Sequence, residues 1–497
     1  MIFAWEADPT PLDPAVTTGA HIYRATRLMY ETLVNSDLTK PASEVSSPPL
    51  IPGLAERWEI SNDRLTYTFH LRKDVKFHDG TTFNAEAVKL NWDRGFDDKS
   101  PVFNPQTKSL LNPTLKWVKE YRAVDDNTFA VTLKNPFASF LLHMSSESLG
   151  IISPEALKKH GNQNIGNNPT GTGPYRFVSR EPGGKVDLER NKEYWGEQPY
   201  LDKVVIRPIT EGGARAAALQ AGEVDFIVVV PPDSTEALQK DSKLEVAFAG
   251  PPHIWFWMLN TRDTETKDKR VRQALNYAVN REGLVEDILG GTALPAGSPI
   301  PPGNPAYNRD AKGYTFDREK AKALLKEAGV PMPLKLKGFI PQSGSGMMVP
   351  VPMDEFIQSN LRDIGVEVEF EVMEWGSFIS RARKGLQNGE AFLNTSWGSN
   401  DMYWLEEMFS SALHPPAGNV RTWYANAEVD KLLDQARGEG DQQKRIALYQ
   451  QAEALVVDDA PWLFVCHDRA PKAFSKKVKG FVGAPSWYFD VTRLSLA

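Results

Sequence analysis

The stretch Thr395 to Ser411, TSWGSNDMYWLEEMFSS, gathers aromatic and acidic side chains around a Gly-Ser-Asn-Asp turn. Trp397, Tyr403 and Trp404 offer broad flat surface at low entropic cost, which suits them to covering a ligand. Asp401 supplies a negative charge, and Asn400 an amide that both donates and accepts. An ordinary surface loop has no use for such a set, so these five residues are candidate ligand contacts. Upstream, His253, Trp255 and Trp257 alternate along HIWFWMLNT, where core packing explains the two tryptophans as well as ligand contact does.

Signatures of catalysis are missing. The chain has no His-Glu-x-x-His, no Gly-x-Ser-x-Gly and no Walker loop. GTG at Gly171 to Gly173 runs straight into Pro174 and a strand pattern, which reads as a turn and not as a phosphate cradle. The eight histidines show no metal-ligand spacing, so neither a metal nor a cofactor is expected. His78 in FHDG is explained by a turn at a hairpin end. The single cysteine, Cys466 in PWLFVCHDRA, cannot form an internal disulfide, and its apolar flanks mark a packed core thiol better than a nucleophile beside His467. A pair of carboxylates for glycoside chemistry is possible in so acidic a chain, but nothing singles one out.

The elements that must position these residues alternate between strand and helix. Leu65, Tyr67, Phe69 and Leu71 alternate with polar partners as a half-buried strand. Asn84 stands as an N-cap, with Glu86 in the first turn of the helix that follows. EGGARAAALQAGEVDFIVVV reads as a helix stopped at Gly222 and then a buried strand. Val271, Ala274, Leu275, Ala278 and Val279 line one helical face. Asp317 and Gly329 bracket another helix. After Gly365, Val366, Val368, Phe370 and Val372 alternate with Glu367, Glu369 and Glu371. The expected fold class is α/β, with mixed sheets flanked by helices in two large lobes.

At 497 residues the chain favours two or three domains. A net charge of −7 spread along the chain, without a basic run, argues against nucleic acid as a partner. No apolar run is long enough to span a bilayer, and the opening MIFAWEADPTPLDP reads as a strand and a Pro-rich turn instead of a leader.

The segment LAERWEISNDRLTYTFHLRKDVKFHDGTTFNAEAVK resembles the signature of the bacterial solute-binding proteins of the peptide, nickel and opine type, which serve ABC importers. GTGPYRF, LERNKEYWGEQPYLDKVVIRPI, ALQAGEVDF, RVRQALNYAVNREGLV, IGVEVEFEVMEWGSF, YANAEVDKLLDQA and DDAPWLFV follow in the same order. The resemblance implies a large periplasmic-binding-protein fold (type II, cluster C) with an extra inserted domain. Residues 1–32, 166–249 and 467–497 would form the first lobe, 33–165 the inserted domain and 250–466 the second lobe. A small solute would be captured between the lobes by hinge closure near 248–256 and 464–470 and passed to an inner-membrane ABC permease. The implied protein is a periplasmic monomer whose leader has been removed, and not an enzyme. A hydrolase on a two-lobed scaffold is the reading from another class.

The resemblance also assigns site positions. Thr18, Gly19, Ala20 and His21 match the first-lobe loop that meets ligand, and Thr395 to Ser411 the second-lobe segment that faces it. His414, in SALHPPAGN, falls where nickel-type members place a contacting histidine, although a lone loop histidine is more often solvent-facing. In peptide binders an Asp three residues after the Trp clamps the ligand's amino group; here that position is Asn400, and Asp401 comes one later. Dipeptide binders also place an Arg before the helix matching FIQSNL, where this chain has SGSGMMVPVPMDE. Both departures favour an opine-like, conjugated or otherwise non-standard peptide-like solute, with an ordinary di- or oligopeptide as the alternative.

Overall fold

A computed structural model describes residues 1–17, 19–181, 184–250, 253–311, 313–344, 348–398 and 401–497. The chain divides into two units, Met1–Ala247 with Pro471–Ala497, and Phe248–Ala470.

In the first unit a seven-stranded mixed sheet runs in the order Leu244–Ala247, Lys472–Ser475, Phe226–Ile227, Ile2–Trp5, Lys203–Pro208, Val186–Arg190, Tyr175–Arg180. Ile2–Trp5 lies parallel to both its neighbours, as the intervening crossovers require. Its side chains Phe3 and Trp5 enter a core with Phe226, Phe474 and Phe489. A separate antiparallel sheet orders Ala55–Ile60, Thr66–Leu71, Thr128–Leu133 and Val118–Asp125. Tyr67, Phe69 and Leu71 face inward on it, as their spacing predicts.

The helix Ala85–Phe96 starts where expected: Asn84 Oδ1 accepts from the Ala87 N–H at 2.9 Å. It carries Arg94, whose guanidinium pairs with Asp13 at 2.6 Å with both side chains out of water. The HDG turn docks on GTG. The His78 N–H donates to Gly171 O at 2.8 Å and its Nε2 donates to Gly173 O at 3.0 Å. A Cβ at Gly171 would lie 2.2 Å from Met29 O, so this glycine permits a close passage of backbone on backbone.

The second unit is built on a six-stranded mixed sheet ordered Ala293–Pro295, Trp462–Asp468, Ile254–Leu259, Phe392–Trp397, Leu334–Pro341, Val366–Met373. Ile254–Leu259 is covered on both faces. Ile254, Phe256 and Met258 join one core, and Trp255, Trp257 and Leu259 the other. Both tryptophans are therefore packing residues, and Trp257 stacks on Phe392 with centroids 4.0 Å apart. His253 is buried as well. Cys466 is a free, buried thiol opposite Trp255, and burial raises it well above the usual thiol value.

The helices Lys269–Ala278, Arg318–Ala328 and Pro350–Arg362 supply the second of these cores, with Val271, Leu275, Leu325 and Ile357 inward. Asp317 and Gly329 cap Arg318–Ala328 as predicted. Trp375–Ala382, Trp404–Phe409, Ala427–Gly438 and Gln442–Asp459 cover the other face. One expectation fails: Val372 is exposed, although Val366 and Val368 are buried. Val366–Met373 is an edge strand, and the helix Pro350–Arg362, whose Gln358 bonds Val368 O at 2.7 Å, covers only its first half.

Candidate functional site

Phe392 to Thr395 are buried, and the strand emerges at Ser396 and Trp397. Trp397 pairs with Ile254, which also pairs with His467. It thus marks the sheet end at which the chain enters and leaves this unit. Asp401 lies in the turn that follows, and its Oδ1 accepts from the Tyr403 N–H at 3.0 Å. That bond turns the backbone into the helix Trp404–Phe409 and sends the next two side chains inward. Tyr403 and Trp404, read from the sequence as ligand cover, are interior residues for this reason, 1% and 2% exposed. Trp404 meets Trp462 edge-on with centroids 5.7 Å apart. Asn400 lies outside the described residues. Of the segment's described candidates, Trp397 and Asp401 remain half-exposed.

Beneath Trp397 lies a residue that pattern reading missed. The Arg421 guanidinium carbon is 5.8 Å from the indole centroid, and the side chain is 5% exposed. Burial, with Arg383 adding like charge, pulls the guanidinium down to about 10. Arg421 sits in GNVRTWYAN, a loop run whose composition gives no hint of a buried cation. His414, in the preceding loop, is held by that loop itself: its Nε2 donates to Tyr424 O at 2.7 Å and its ring meets Trp423 edge-on at 5.5 Å.

In the first unit, Gly19 adopts φ +155°, where a Cβ would come within 2.7 Å of the His21 ring. Ala20 opens the short helix Ala20–Thr26, and its carbonyl accepts from Arg24 Nε at 3.1 Å. Arg24 pairs with Glu6 and lies 5.5 Å over Trp5. Burial holds His21 below the usual imidazole value, with Glu6 opposing and Arg24 adding to it. Thr18 lies outside the described residues.

The same unit encloses a cavity of about 350 Å³ whose lining includes Arg27, Glu31, Arg72, Tyr194, Trp195 and Tyr488. Glu31 accepts from Thr172 Oγ1 at 2.9 Å, Tyr194 OH at 2.8 Å and Trp195 Nε1 at 2.6 Å. Burial nevertheless raises its carboxyl to about 7. The motifs GTGPYRF and LERNKEYW therefore meet at one buried acid. Arg27 pairs with Glu147 at 2.5 Å, and Arg72 donates to Gly53 O at 2.7 Å while lying over Trp195. This network satisfies itself and reads as structural. Among the described residues no group of three or more His, Cys, Asp or Glu could hold a metal ion, and no helix is long and apolar enough to cross a membrane.

These mixed-sheet units have the architecture of a periplasmic-binding-protein fold. The structure superposes on the ABC transporter-associated periplasmic binding protein DppA from Helicobacter pylori in complex with the peptide STSA, with a TM-score of 0.87 and 30% identity, covering 100% of this chain and 98% of that one. Residues 49–419 match the model of the bacterial extracellular solute-binding proteins, family 5 Middle. The glutathione-binding protein GsiB of Pectobacterium atrosepticum is 34% identical over 97% of this chain and 91% of its own. The dipeptide-binding protein of Escherichia coli is 31% identical over 98% and 92%. The chain belongs to the bacterial extracellular solute-binding proteins, family 5. Its role is that of a solute-binding protein of an ABC importer, acting in the periplasm or outside the cell.

Proposed function

We propose that the solute is a small carboxylate-bearing molecule of the non-standard peptide or conjugate kind, captured by hinge closure about the crossings at Ala247/Phe248 and Ala470/Pro471. The observation that carries this reading is the pairing of half-exposed Trp397 with the buried Arg421 guanidinium beneath it. An aromatic face beside a desolvated cation suits a solute with an anionic end and an apolar or sulfur-bearing body. Glutathione and dipeptides, the ligands named for two relatives, share a carboxylate. Glutathione, with its γ-linked residue, is the non-standard peptide among them, and its binding protein is the more similar of the two. The protein acts as a monomer that hands the solute unchanged to the permease. Gly19, Ala20 and His21 supply contacts from the first unit.

The second reading is an ordinary di- or oligopeptide, favoured by the likeness to a dipeptide-binding relative and to a structure holding a tetrapeptide. Calorimetry against reduced glutathione, an opine such as octopine, a dipeptide and a tetrapeptide separates the two. The first reading expects glutathione or octopine to bind at least about tenfold tighter than either simple peptide, a difference of about 1.4 kcal/mol. Tighter binding of the simple peptides would establish the second. Recovery of chemically altered solute after incubation would point to turnover and against both.

A further inference from the structure

Six arginines are buried among the described residues: Arg24, Arg94, Arg215, Arg272, Arg281 and Arg421. Five are satisfied by the fold. Arg24 and Arg94 pair with Glu6 and Asp13. Arg215 donates to the carbonyls of Val228, Ile209 and Val229. Arg272 donates to those of Asp459, Thr266 and Lys267. Arg281 donates to Phe464 O, Asn276 O and Asn276 Oδ1.

Arg421 differs from all of them. Its hydrogen bonding to the described residues is one long bond, Nη2 to Asn419 Oδ1 at 3.4 Å, and its Nε has no partner. The charged group that acts on it is another cation, Arg383. A buried guanidinium without a counter-ion is costly to keep, and folded proteins almost always pair it or surround it with carbonyls. Here the other five arginines follow that rule and this one does not. Its guanidinium lies against Trp397, the residue that marks the sheet end where the chain crosses into and out of the second unit.

We propose that Arg421 is the anion anchor of the binding site, receiving a carboxylate of the solute in a two-pronged hydrogen-bonded pair, with Trp397 holding the guanidinium plane and covering the carboxylate-bearing end. The proposal rests on the reading of the protein as a carboxylate-solute binder. The fork of N–H donors matches two carboxylate oxygens, and the positive potential from Arg383 adds to the attraction. The run SGSGMMVPVPMDE, before and into the helix Pro350–Arg362, carries no arginine, so the proposed anchor lies elsewhere in the chain. No bond is made or broken; the solute arrives ionised and leaves ionised.

The test uses the full chain and two variants, Arg421→Met and Arg421→Lys. Without solute, Arg421→Met should melt a few degrees above the wild type, because it removes an uncompensated buried charge and keeps most of the packing volume. A fall in melting temperature would mean that Arg421 is a structural residue and would overturn the proposal. Calorimetry then compares glutathione, octopine and a dipeptide with their carboxyl esters or amides. The wild type should prefer the acids at least a hundredfold, Arg421→Met should lose that preference, and Arg421→Lys should recover part of it. Unchanged acid binding by Arg421→Met would also overturn the assignment. Failure of every acid to bind the wild type would reject the carboxylate-solute reading, while the melting comparison would still decide whether Arg421 is held at a cost to the unliganded fold.

Discussion

Glu453 lies fully buried on the helix Gln442–Asp459, where its Oε2 accepts from the Asn308 N–H at 2.5 Å. Burial raises its carboxyl from 4.5 to about 8. A raised carboxyl favours the protonated form in the folded state. The unfolded chain gives up its proton near 4.5 while the folded chain keeps it, so stability falls as pH rises through that window and levels off above about 8. Going from 4.5 to about 8 at 1.36 kcal/mol per pH unit amounts to about 5 kcal/mol. Glu453→Gln keeps the shape and the acceptor for Asn308 but cannot ionise. Urea unfolding of wild type and variant from about pH 5 to about pH 9 isolates this group, because every other titration cancels in the difference. The two should lie within about 1 kcal/mol of each other at the acid end. The variant should then gain about 1.4 kcal/mol per pH unit until the curves run parallel. A difference that stays flat across the range would refute the placement of Glu453 as a buried neutral acid.

Three further outcomes are expected. Arg94→Met should lower the stability of the first unit by about 3–5 kcal/mol in urea unfolding, because it strands the buried Asp13 carboxylate; adding Asp13→Leu should recover most of the loss. Gly171→Ala should cost about 1–3 kcal/mol, measured by thermal melting, since its new methyl would press on Met29 O. Cys466 should resist an aromatic disulfide reagent in the native protein and react stoichiometrically once the chain is unfolded, and rapid native labelling would show that Trp462–Asp468 is not the buried strand described.

The local chemistry of the elements was legible in the chain. Asn84, Asp317 and Gly329 are caps because a side-chain oxygen or a left-handed glycine solves a problem within four residues of itself. The faces of Lys269–Ala278 and Thr66–Leu71 follow from period alone. The family follows from an ordered series of such local solutions. Partnership at a distance was not legible. Tyr403 and Trp404 belong to the core because Asp401 turns the helix that carries them, a bond the sequence permits but does not announce. Thr172, Tyr194 and Trp195, far apart in the chain from Glu31, meet there only after the first unit has folded. The candidate anchor depends most on tertiary structure. An arginine in a polar loop looks like any other in sequence, and its meaning lies in which counter-charges the fold withholds. Charge compensation is set by three-dimensional neighbours, so only the packed structure could distinguish Arg421 from the five buried arginines that the protein satisfies itself.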